Sequence, residues 1–170
     1  MYSKPSAGSL VLALLLALPL GPLCADEAPA PISIEADRLE ISQPDGRSLY
    51  QGQVVLQQGE LRLEADTLQL QQQQGQLQRA IADGTPVRLQ LPDDQSAQLI
   101  RAQALHMDYD ISNNSIELKG EAVLWRGGDE FRGQLLRYNI EQRSVQASGH
   151  QPTDGSDGRV RIILQPESQP

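Results

Sequence analysis

The sequence predicts an all-β protein, and three observations carry that prediction. Apolar residues alternate with Gln, Glu, Arg and Asp through short runs, the period-two pattern of half-buried strands. The runs are punctuated by "QPDGR" at 43, "QQQQGQ" at 71, "ADGTP" at 82, "LPDDQ" at 91, "ISNNS" at 111 and "RGGDE" at 126, which are turn signals. A bent-strand motif also recurs four times along the chain.

Taken in order, residues 1–25 read as a cleaved secretory signal. Lys4 supplies a weak positive start, "LVLALLLALPL" at 10–20 a short apolar run, and "GPLCA" the small residues for cleavage after Ala25. A membrane-spanning helix needs about 20 apolar residues; this run is shorter and carries Pro19. Leu23 in front of Cys24 argues against lipoprotein processing. Residues 26–166 are then expected to form one β domain, with a short polar tail at 167–170.

The first copy of the motif is Ile34-x-Ala36-x-x-Leu39-x-Ile41, and the second is Leu63-x-Ala65-x-x-Leu68-x-Leu70. The third is Ile100-x-Ala102-x-x-Leu105-x-Met107, and the fourth is Phe131-x-Gly133-x-x-Leu136-x-Tyr138. In each, a small residue sits where the apolar positions change parity, and the copies lie roughly 30 to 37 residues apart. A turn and a return strand running toward a glycine follow each copy: "SLYQGQVVL", "GQLQRAIADG", "NSIELKGEAVL" and "RSVQASG". A parity change would throw the apolar set outward unless an extra residue forms a β-bulge, which bends the strand and lets that set resume on the inner side. Four stacked bends predict a long, narrow sandwich or roll, apolar from end to end. Its interior is either a packed core or a slot left for a ligand.

Composition narrows the function. With Lys4 gone the balance is 13 basic against 22 acidic residues, which disfavours nucleic acid, whose affinity depends on clustered Lys and Arg. The single cysteine leaves with the signal, so neither disulfide nor thiol chemistry is expected. Repeated "EAD" places Glu35 with Asp37 and Glu64 with Asp66 on common faces; a solvated acidic side is the simpler reading than a cation site. His106 and His150 lack spaced metal or triad partners, and no phosphate loop, nucleophile elbow or dinucleotide fingerprint is present. Neither an enzyme nor a bound cofactor is expected. A sugar-binding module would need exposed aromatics; among Tyr50, Tyr109, Trp125, Phe131 and Tyr138, only Trp125 qualifies for testing. "PISIEA" at 31–36 and "RVRIILQP" at 159–166 are strand-like, and terminal strands leave unpaired edges suited to strand addition between molecules.

"IEAD" at 34–37, "YQGQVVLQQGELRLEAD" at 50–66 and "IELKGEAVLW" at 116–125 together resemble the OstA-like family of periplasmic lipopolysaccharide-transport proteins. The resemblance covers nearly all of the chain after the signal, with Gly52-Gln53-Val54 where the family often has Gly-Asn-Val or Gly-Asp-Val. It implies an open-ended, twisted β-jelly roll of stacked antiparallel strands. It further implies that lipid A acyl chains lie in an apolar lining of Ile32, Ile34, Val54, Leu56, Leu61, Leu63, Leu68, Leu89, Tyr109, Ile111, Leu118 and Phe131. Head-to-tail self-association would use edges at Ile32, Ile34, Val160, Ile162 and Leu164. The implied partners are the inner-membrane anchored OstA-like component of the lipopolysaccharide ABC transporter and the N-terminal OstA-like domain of the outer-membrane translocon. The implied location is the periplasm. A structural or carbohydrate-binding β-module with a closed core is the alternative.

Overall fold

Alternating runs become strands wherever a turn can close them. The structure, a computed structural model, describes residues 30–93, 98–149 and 158–166; the expected signal, the tail at 167–170 and His150 lie outside them. Ten strands follow in order: β1 (Ser33–Glu35), β2 (Arg38–Ser42), β3 (Arg47–Gln58), β4 (Leu61–Gln73), β5 (Gln76–Pro92), β6 (Leu99–Asp110), β7 (Ser115–Arg126), β8 (Asp129–Asn139), β9 (Ser144–Ser148) and β10 (Arg161–Ile163). No helix occurs among the described residues. All pairings are antiparallel, and β3 to β8 each pair with their neighbours in chain order.

The parity change is a bulge, and the bulges line up. Registers shift between Gln51 and Val54, Glu64 and Thr67, Asp83 and Val87, Gln103 and His106, and Lys119 and Ala122. On one side of this line an unbroken row of paired residues runs Arg38, Gln51, Thr67, Asp83, His106, Lys119, Leu135, Ser148. The shifts therefore form a crease across the whole sheet. Bulges bend strands, so six long strands cross one fold line and contribute to two leaves. The first leaf is edged by β1 and β10, the second by β2 and β9.

Glycine at the crease has a steric reason at two positions. Gly52 and Gly120 adopt φ of +81° and +76°, a region that side chains disfavour. A Cβ on Gly120 would also meet Leu105 at 3.0 Å, because that leucine lies across the bulge.

Each leaf turns apolar rows inward. In the first leaf one row reads Ile34, Leu56, Leu63, Leu89, Ala102, Leu124, Phe131, Ile162. In the second it reads Leu39, Tyr50, Leu68, Ala82, Met107, Leu118, Leu136, Ala147. Buried residues of both rows join one hydrophobic core, so the creased sheet closes on itself as a β-jelly roll. The extremes stay uncovered. Leu39 and Ile41 at the β2 end are 49% and 62% exposed, and Ile162 and Leu164 at the β10 end 52% and 65%.

Three expectations are corrected by these facts. "ADGTP" at 82–86 is not a turn, because β5 runs straight through it; Gly84 to Pro86 are extra residues of the crease. The third copy of the motif breaks two residues later than its spacing suggested. Ala102, Ala104 and Met107 are buried while Leu105 is 41% exposed, so the parity changes after Ala104. In the first copy the bend divides the strand altogether, into β1 and β2, and Ala36, Leu39 and Ile41 lie exposed on the edge.

Candidate functional site

Between the leaves lies an apolar cavity of about 250 Å³. The first leaf supplies Leu56 and Gln58 from β3, Leu61 and Leu63 from β4, Leu89 from β5, and Ile32 just before β1. The second leaf supplies Leu77 and Ala80 from β5, Tyr109 from β6 and Ile111 from the turn after it. The strand period explains the composition: Leu61, Leu63 and Leu89 point in, while Arg62, Arg88 and Gln90 between them point out. Ala80 lies across the pair from Tyr109, and its small side chain leaves the space beneath the ring unfilled.

Seven of the twelve lining residues expected from sequence meet in this cavity: Ile32, Leu56, Leu61, Leu63, Leu89, Tyr109 and Ile111. Val54, Leu68 and Leu118 do not; they are at most 1% exposed and pack in the core at or beside the crease. Ile34 and Phe131 are half-buried against the core, outside the cavity wall. Leu77 and Ala80 were missed, because inward apolar residues carry the same period whether they face a neighbour or a void. Among the expected edge residues, Ile32, Ile162 and Leu164 are exposed, and Ile34 and Val160 are half-buried. The terminal strand folds back on its own sheet, since β10 pairs with β8; its other side is an edge of the sheet.

A polar latch joins the leaves elsewhere along the same rim. Arg143, in the turn after β8, donates to Asp93, at the end of β5, through Nη1 and Nη2, each at 2.8 Å. Such forked pairing fixes both partners, and the Asp93 side chain is only 8% exposed. Arg126 donates to the Arg143 carbonyl at 2.7 Å, and its guanidinium stands 5.8 Å from the centre of the Tyr138 ring. The latch borders a recess of about 400 Å³ reaching Ile100, Tyr138 and Ile140. The first leaf at β5 and β6 thus lies over the second leaf at β8. The cavity brings β3 to β5 over β5 and β6, so the leaves are staggered.

Charges occupy the outer faces. Glu117 receives Lys119 and Arg137, and those cations hold its carboxyl below the usual range despite partial desolvation. Hydrogen bonds from Ser112 and Asn113 lower Asp110 in the same way. Asp83 pairs with His106 at 2.7 Å, and Glu64 takes Arg62 at 2.9 Å. Among the described residues no group of three His, Cys, Asp or Glu is placed to hold a metal. Glu35, Asp37 and Asp66 are exposed, which favours the solvated reading of the repeated "EAD".

A sheet folded along a bulge line over an apolar cavity, with both ends uncovered, defines a β-jelly roll with an interior slot. Residues 33–144 match the family model described as LptA/(LptD N-terminal domain) LPS transport protein, and the chain belongs to that family. The lipopolysaccharide export system protein LptH of Pseudomonas aeruginosa is 26% identical over 143 residues, spanning 82% of this chain and 81% of that protein. LptA of Escherichia coli K12 is 24% identical over 119 residues, which are 69% of this chain and 64% of LptA. The crystal structure of LptH superposes with a TM-score of 0.70 at 24% identity, covering 81% of this chain and 96% of LptH. The fold is shared.

Proposed function

We propose that this chain is a periplasmic, non-enzymatic carrier of lipopolysaccharide that shelters lipid A acyl chains between its leaves. The apolar cavity carries the reading. A space walled chiefly by Leu61, Leu63, Leu77, Leu89, Tyr109 and Ile111, with Gln58 the one amide in the wall, takes hydrocarbon readily and offers little to a polar solute. The family membership and the names of the relatives support the same conclusion. In this reading Ile32, Leu56, Leu61, Leu63, Leu77, Leu89, Tyr109 and Ile111 touch lipid, while Val54, Leu68 and Leu118 hold the crease closed.

Head-to-tail assembly into a bridge between the membranes is the second part of the proposal. The uncovered apolar ends support it: Ile32, Leu39 and Ile41 at one extreme, Ile162 and Leu164 at the other. Two unlike apolar ends favour a heterologous, open contact over a closed dimer. The same ends would meet the inner-membrane anchored and outer-membrane members of the family.

Photocrosslinking tests the carrier role. A probe at Leu63 or Tyr109 should capture lipopolysaccharide, and one at Gln72, exposed near the β4–β5 turn, should not. Equal labelling at all three positions, or none at any, overturns it.

A further inference from the structure

The outer surface of the first leaf carries a second site. Two adjoining depressions, of about 280 and 480 Å³, share Gln90, Arg101 and Trp125, and together form one groove across β4 to β7. Its floor is a single register row: Arg62 pairs with Gln90, Gln90 with Arg101, Arg101 with Trp125, and Trp125 with Glu130. Arg88 lines the same groove.

The groove is lined by Arg62, Arg88, Arg101 and Arg126, a cationic strip on a chain whose formal charge is −8. Arg62 is answered by Glu64. Arg88 and Arg101 have no hydrogen bond or ion pair among the described residues, and both are exposed. Two unpaired guanidiniums on neighbouring strands, flanked by the amides of Gln90 and Gln103, offer forked donors to an anion and further hydrogen bonds to hydroxyls. Trp125 supplies the remaining element. Its Nε1–H donates to Glu130 at 2.8 Å, so the indole is held in place, half-buried, in the lining of both depressions. A fixed, half-exposed tryptophan beside hydrogen-bond donors suits a pyranose ring, which has an apolar face and a polar rim.

We propose that this groove binds an anionic saccharide, its phosphate or carboxylate groups meeting Arg88 and Arg101 and one sugar ring lying on Trp125. The site lies on the opposite side of the leaf from the apolar cavity, and its argument is independent of the lipid reading. Each can fail alone.

Trp125 is the only tryptophan in the sequence, so intrinsic fluorescence of the protein reports on the groove directly. The probe is a diphosphorylated glucosamine disaccharide without acyl chains, titrated against the unphosphorylated disaccharide and inorganic phosphate. A saturable change is expected with the phosphorylated sugar, weakening as salt is added. The neutral sugar and the Arg88→Gln/Arg101→Gln variant should each bind at least about tenfold more weakly, as expected for losing charge-assisted bonds. No saturable change up to about 10 mM, an unaltered response in the variant, or an equal response to inorganic phosphate overturns the proposal. The acylated parent then separates two sources of the sugar. Much tighter half-saturation with the parent assigns the sugar to a molecule whose chains occupy the cavity, and an unchanged value assigns it to a separate glycan.

Discussion

Filling the cavity from its floor should cost lipid affinity while leaving the fold standing. Ala80 is 8% exposed and borders the 250 Å³ space. If a methylene takes about the volume of a water, roughly 30 Å³, the cavity holds about eight. At ~0.8 kcal/mol each, their burial is worth about 6 kcal/mol before the cost of immobilising the chain. Ala80→Leu adds three carbons, which displace about three methylenes and about 2.4 kcal/mol, a loss near fiftyfold in affinity. Some crowding against Tyr109 is expected, so the melting temperature is measured alongside; overpacking costs about 1–3 kcal/mol. The assay is displacement of a fluorescent fatty-acyl probe by lipopolysaccharide, with Gln69→Leu on the outer face as control. Unchanged affinity in a folded Ala80→Leu protein would falsify the assignment of the cavity as the acyl site.

Three further outcomes follow from the geometry. Arg143→Ala removes the forked partner of a nearly buried carboxylate, so stability should fall by about 1–3 kcal/mol, and Asp93→Asn/Arg143→Ala should lose less than the sum of the single changes; additive losses in urea unfolding would sink the latch. Gly120→Val places a branched side chain at φ +76° beneath Leu105, and should cost about 1–3 kcal/mol, lowering Tm by roughly 3–10 °C; an unchanged Tm would mean the crease relaxes freely. Asp110, Glu117 and Glu130 are all depressed in the folded state, so their contribution is complete above the ordinary glutamate value of 4.5 and is lost as pH falls through the folded values. Glu117→Gln should therefore lower Tm at neutral pH and flatten its decline below about pH 4.5, and a parallel acid limb in the variant would contradict the assignment.

The crease was legible because burial makes parity costly: Leu63, Ala65, Leu68 and Leu70 can all be interior only if the strand gains a residue. Where an outward position happens to be apolar, that logic misplaces the break. Leu105 covers Gly120 on the outside, and so it passed for the leucine that resumes the inner row. "ADGTP" misled for a related reason, since Asp-Gly serves a bulge as well as a hairpin. The cavity was half legible. Its wall residues are ordinary inward positions, and only the stagger of the leaves decides which of them face a void. Stagger comes from sheet twist, which no local pattern records. The latch was invisible in sequence, because Asp93 and Arg143 are 50 residues apart.

Because β4 to β7 bond only to their neighbours in the chain, the protein has the one-dimensional economy of a solenoid. Its cross-section is set by the bulge line, its length by the number of hairpins. A duplicated hairpin inserted between β5 and β6 would add another pair of inner rungs and lengthen the interior path without altering its width. Loss of a hairpin would shorten it by the same step. The repeats still visible in the sequence are consistent with growth by such steps, and reach could then change by duplication while the surface that meets the cargo stays the same.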